Sequence, residues 1–134
     1  MKKSDFKKGQ TVYLLVIEGS NAYRISGYEK RPFEERIKEA PVVSVGSKYI
    51  TVEIGNIVAS QIKFNIENNF NQEVDAGGRN YDIFLNRQDV YDYQEKKDLI
   101  KEIRDAFNSS LWFDHSKYSL DQLRRIKAIL NENK

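Results

Sequence analysis

The sequence predicts an α+β protein that is mainly β: a small half-open antiparallel β-barrel over residues 1–85, then two C-terminal helices over residues 86–134 packed on it as a single folded unit. Three observations predict this. Up to about Leu85 the chain falls into short apolar segments cut off by glycines. Two of these segments, Ile37 to Val45 and Tyr49 to Ile54, are joined only by Gly46-Ser47-Lys48 and read as a hairpin. Beyond Leu85 the apolar spacing changes to the helical period.

Lys7-Lys8-Gly9-Gln10 is a turn into a first strand, Thr11 to Ile17, whose two faces (Val12, Leu14, Val16 and Tyr13, Leu15, Ile17) are both apolar. A strand apolar on both faces belongs in the centre of a sheet or is covered on two sides. Gly19-Ser20-Asn21 ends it, and Ala22 to Phe33 reads as a long loop with a short strand near Tyr23 to Ile25. In the hairpin, Gly46 stands where a tight primed turn needs a positive φ. Gly55-Asn56 is the next turn, Ile62, Phe64 and Ile66 alternate as another strand, and Asn65, Asn68, Asn69 and Asn71 mark an exposed loop. Gly77-Gly78 precedes a last strand, Tyr81 to Leu85. Five or so strands connected in sequence manage their edges best by curling into a barrel.

The first C-terminal helix runs from Asn86, a cap with Asp89, to Phe107, with Val90, Tyr93, Ile100, Ile103 and Phe107 as its core-facing stripe. Asn108-Ser109-Ser110 ends it, and Leu111-Trp112-Phe113 forms an apolar anchor in the connector. The second helix has the fullest start signal in the chain. Ser119 caps it, Gln122 reaches back, Tyr118 staples onto Leu123, and Leu123, Ile126 and Leu130 continue the stripe.

Composition excludes several classes. The chain of 134 residues has no cysteine, hence no disulfide framework, zinc knuckle or thiol nucleophile. No apolar run approaches the roughly 18 residues of a membrane span, and Ser4-Asp5-Phe6-Lys7-Lys8 stands where a signal peptide needs apolar residues. The expected location is cytoplasmic, with no membrane partner. Net charge is +2, from 22 basic and 20 acidic residues spread evenly over both parts. A nonspecific nucleic-acid binder carries a larger basic excess, because its affinity comes from neutralising phosphates.

No catalytic set assembles. Asp114-His115-Ser116 holds the residue types of a triad, but neighbours in sequence cannot relay a proton through their side chains, so it reads as a polar loop. Gly77-Gly78 lacks the lysine and helix of a P-loop. Asp89, Asp92 and Glu95 share a helix side and could bind a hard cation, but acids near a helix N-terminus also complement the macrodipole. The expectation is no enzyme, no metal and no cofactor.

The candidate binding residues are Tyr23, Arg24, Tyr28, Lys30, Arg31, Arg36 and Lys48, from the long loop and the hairpin tip. Tyrosines interleaved with arginines can stack bases and contact phosphates, form a protein-interface hot spot, or sit half-buried at a barrel rim. Arg124, Arg125 and Lys127 read as the polar side of an amphipathic helix.

Phe6-Lys7-Lys8-Gly9-Gln10-Thr11-Val12-Tyr13, followed by Val42 to Val52, resembles small β-barrel proteins of phages and mobile elements of low-GC Gram-positive bacteria. The opening is also similar to the KOW/Src-homology type of barrel, with Ala22-Tyr23-Arg24-Ile25 in place of its glycine-rich spacing. The resemblance implies a phage accessory protein that binds and blocks a host protein or protein–nucleic acid complex in the bacterial cytoplasm, such as a nucleic-acid-handling or CRISPR-type defence nuclease. In that role the asparagine-rich loop is expected to serve as a polar rim. Direct nucleic-acid binding through the Arg/Tyr loop is the alternative, and a small-molecule or nucleotide sponge using the barrel mouth is a third reading.

Overall fold

A computed structural model describes residues 1–55, 60–75, 77–106, 108 and 118–132. Six antiparallel strands form a nearly closed barrel: β1 (Thr11–Val16), β2 (Ile37–Val45), β3 (Tyr49–Ile54), β4 (Ser60–Asn65), β5 (Asn71–Gln72) and β6 (Tyr81–Phe84). The sheet order is β5-β4-β3-β2-β1-β6, so β1 lies inside it, between β2 and β6. Its two apolar faces are thereby explained. Val12 and Leu14 enter the core, and Leu15 on the opposite face is equally buried.

The hairpin falls where the sequence predicts, with a register shift between Val42 and Ser44. Its turn differs. Gly46 does not adopt a positive φ, and its N–H donates to the Tyr49 carbonyl at 2.9 Å. Gly46 stands opposite Tyr49, next to the Ser47-Lys48 reversal and outside its two central positions, so no left-handed conformation is required of it.

The ends of the sheet meet through side chains instead of a ladder. Gln72 Oε1, on β5, accepts from the N–H of Asn80 (2.7 Å) and of Tyr81 (3.0 Å) at the start of β6. Arg79 Nη1 spans the same seam, donating to Asn71 Oδ1 at 2.8 Å and to Asp82 Oδ1 at 3.2 Å. The asparagine-rich stretch is exposed at Asn68 and Asn69, as expected, but it is more than a loop. It forms a 3-10 turn at Ile66–Asn68 and then β5, while Phe70, at positive φ, is buried against Phe6 with ring centroids 5.3 Å apart. Asparagine suits this path because its side chain can replace backbone partners: Asn65 Oδ1 accepts from Glu67 N–H. Val12, Leu14, Ile50, Val52 and Phe64 fill the interior with no measurable exposure.

The expected short strand near Tyr23 to Ile25 is instead a helix, α1 (Asn21–Ile25), capped by Ser20. Five residues are too few for a periodic signal, and only the cap and its tertiary ties hold it. Helix α2 (Arg87–Ala106) starts at Asn86, whose Oδ1 accepts from Asp89 N–H.

The chain divides into two compact units, Met1–Asp92 and Tyr93–Lys134. In the first, the opening turns of α2 cover the outer face of β1: Val90 is fully buried and the Arg87 guanidinium lies over the Tyr13 ring. In the second, the predicted stripe does not stay inside, since Ile100 and Ile103 are more than half exposed. A helical period records which residues share a face and not whether anything covers that face. Helix α3 (Leu120–Asn131) carries the full capping box between Ser119 and Gln122. Phe107, Ser109-Ser110, the Leu111-Trp112-Phe113 anchor, Asp114-His115-Ser116 and Asn56 lie outside the described residues. No described helix is long and apolar enough to cross a membrane.

Candidate binding surface

The link between β1 and β2 is built from α1 and two 3-10 turns, Tyr28–Lys30 and Phe33–Arg36. Ser20 Oγ accepts from Tyr23 N–H at 3.2 Å and starts α1. Asn80 Oδ1 accepts from Ala22 N–H at 3.0 Å, and Asn21 Nδ2 donates to the Gly77 carbonyl at 3.3 Å, so α1 is tied to the approach to β6. Gly27 then reverses the chain at φ +65°, a left-handed conformation that suits glycine.

This path stacks cations on aromatic rings. Tyr23 and Tyr28 lie 6.4 Å apart at 28°. Arg31 covers Tyr28 at 4.4 Å and Lys38 Nζ approaches the same ring at 5.1 Å. Arg36 lies 5.3 Å from both Tyr23 and Phe33, and Phe33 continues to Tyr91 of α2 at 5.9 Å. The hydrogen bond with Glu35, 2.7 Å long, is the main cause that raises the Arg31 pKa, so this guanidinium stays charged. Both partners of that pair are well exposed, and its contribution to stability is small.

The structure therefore brings six of the seven predicted residues together and gives them different positions. Arg24 and Lys30 are exposed. With Tyr23, Gly27 and Glu29 they line a surface depression of about 280 Å³. Tyr28 and Arg36, also among the candidate binding residues, are each only 7% exposed, and for Tyr28 this is closest to the rim position that the sequence left open. They support the surface from beneath: the Phe33–Arg36 turn packs on β1 and β2, and the Tyr28 ring is covered by Arg31 and Lys38. Arg36 donates from Nε and Nη2 to the Val16 carbonyl. Lys48 stands apart in the β2–β3 turn, its ammonium 5.4 Å from the Tyr49 ring, which Lys63 also approaches at 5.6 Å. Tyr49 and Lys63 line a second depression of about 420 Å³ with Gln61, Gln72, Glu73 and Asp75.

Sequence reasoning missed Phe33, Lys38 and Tyr91. The register that sets Lys38 opposite Leu14 is a product of folding and leaves no local mark in the sequence. The i,i+4 spacing of Arg31 and Glu35 was a signal available in the sequence. Among the described residues, Arg24, Lys30, Arg36 and Lys48 have no carboxylate partner, and no group of three or more His, Cys, Asp or Glu could hold a metal ion.

A family model described as the phage ProQ C-terminal-like domain matches residues 1–134. The chain belongs to that family. The phage ProQ C-terminal-like domain thus covers both the barrel and the helices that follow it, and the phage association expected from the barrel motifs holds for the whole chain. No curated protein and no solved structure matches it.

Proposed function

We propose that this phage protein is a non-enzymatic accessory factor that binds a host macromolecular complex and blocks it by occupying its surface. A nucleic-acid-handling or CRISPR-type defence nuclease in the cytoplasm of a low-GC Gram-positive host is the target class put forward. The observation that carries the reading is the cation–aromatic stack of Tyr23, Tyr28, Arg31 and Arg36 beside the exposed Arg24 and Lys30. Interface hot spots are rich in Arg and Tyr, and a surface already held in place loses little conformational entropy on binding. A filled barrel interior supports action from the outside over storage of a small ligand within.

Affinity capture from nuclease-treated bacterial lysate tests the proposal. Wild-type protein should retain a defined host complex, and failure to retain any removes the reading. Direct nucleic-acid binding is favoured by one observation, the absence of carboxylate partners for Arg24 and Lys30 among the described residues. Salt dependence separates the two, since contact with several phosphates makes affinity fall steeply as salt rises.

A further inference from the structure

We propose that the depression between α1 and the Tyr28–Lys30 turn seats a single carboxylate side chain of a protein partner, held between the Arg24 guanidinium and the Lys30 ammonium. This rests on the surface-occupying reading above and specifies what the occupied surface must present.

Size is the first argument. At about 280 Å³ the depression falls just below the range of roughly 300–1,000 Å³ typical of small-molecule clefts, and it suits one inserted side chain. Charge is the second. Two cations and one acid, Glu29, line it. The neighbouring cations are already engaged, Arg31 by Glu35 and Arg36 by the Val16 carbonyl. Arg24 donates only to the neutral Asn21 side chain, and Lys30 has no carboxylate partner among the described residues. A carboxylate entering here gains charge-assisted hydrogen bonds from both.

The same features disfavour a nucleic-acid strand. Stacking a base needs an open aromatic face. Tyr28 is buried beneath Arg31 and Lys38, while Tyr23 is stacked on Tyr28 and approached by Arg36. Glu29 in the lining repels a continuous row of phosphates but leaves room for one acid beside Arg24 and Lys30. A net charge of only +2 adds little long-range attraction for a polyanion.

The test is an amide-resolved NMR titration of the full chain with a capped oligoglutamate peptide, an oligothymidylate and a capped oligolysine as probes. Oligoglutamate should shift the amides from Tyr23 to Arg31. Replacing Arg24 and Lys30 together by alanine should weaken it about tenfold or more, the equivalent of losing at least one charge-assisted hydrogen bond. Glu29→Gln should tighten it, and Lys63→Ala, at the other depression, should leave it unchanged. Because Arg24 and Lys30 are exposed, the rest of the amide spectrum should persist in the double variant. Tighter binding of oligothymidylate to the same residues, shifts elsewhere on the barrel, or an unaffected double variant would each overturn the proposal. Using the double variant as lysate bait keeps the two ideas separate. A host complex retained equally by wild type and variant removes the carboxylate seat and spares the surface-occupying reading. Oligoglutamate binding without any retained complex does the reverse.

Discussion

Arg36 donates from both Nε and Nη2 to one acceptor, the Val16 carbonyl, at 3.2 and 2.9 Å. The β1–β2 ladder ends at Leu15 opposite Ile37, so on the β2 side Val16 lies one residue past the last pair, while on the other side it still pairs with Tyr81 of β6. A side chain thus extends the sheet where the backbones part, and the same guanidinium supports Tyr23.

Removing it should destabilise the barrel. Arg36→Ala leaves a buried carbonyl without these donors, and a loss of about 2–3 kcal/mol is expected. Arg36→Lys should recover only part of that, because an ammonium lacks the planar fork. Urea-unfolding midpoints measure both, and an Arg36→Ala midpoint equal to wild type would rule out this structural role.

The β5–β6 seam gives a second prediction. Gln72→Ala removes the acceptor shared by the Asn80 and Tyr81 amides, at a cost of about 1–3 kcal/mol. Hydrogen exchange should quicken first at those two amides. Uniform quickening across the whole barrel would show instead that the seam does not open separately.

Alkaline stability depends on Tyr81. Burial, followed by the charge of Tyr28, raises its phenol pKa above the ordinary value near 10. Below that ordinary value the folded and unfolded chains both carry the neutral phenol, and the preference for it is fully present. Above it the unfolded chain loses its proton first, so stability falls as pH rises through the folded-state value. Denaturation measured from about pH 8 to 11 should show this decline, with Tyr81→Phe making it shallower. An identical slope in the variant would locate the alkaline loss at other groups.

The Ser119 cap can be tested within the second unit. Ser119→Ala breaks the bond from Gln122 N–H and should cost α3 about 1 kcal/mol, seen as lower helicity and an earlier thermal loss of helical signal. Ser119→Asp should retain it, since a carboxylate caps and also favours the positive end of the helix dipole.

The legible parts of the fold were those signalled by neighbours in sequence. The hairpin, the two-faced strand β1 and the Ser119–Gln122 box each write their structure within a few residues. What could not be read depended on distant partners. Helix α1 owes its place to Asn80 and Gly77, more than fifty positions away, and β5 exists because Asn71 and Gln72 meet β4. The candidate surface divides in the same way. Composition singled out the tyrosines and arginines of the long loop, but the burial of Tyr28 and Arg36 and the exposure of Arg24 and Lys30 followed only from how the loop packs once folded.

The sequence by itself determined a β-rich first part, its hairpin, the helical second part and the residue types available for binding, because alternation, turn chemistry and capping are local interactions. Only the tertiary structure decided which cations face outward and which hold the barrel together. Burial and ring stacking are set by residues that meet after the chain has folded, and no short stretch of sequence records them.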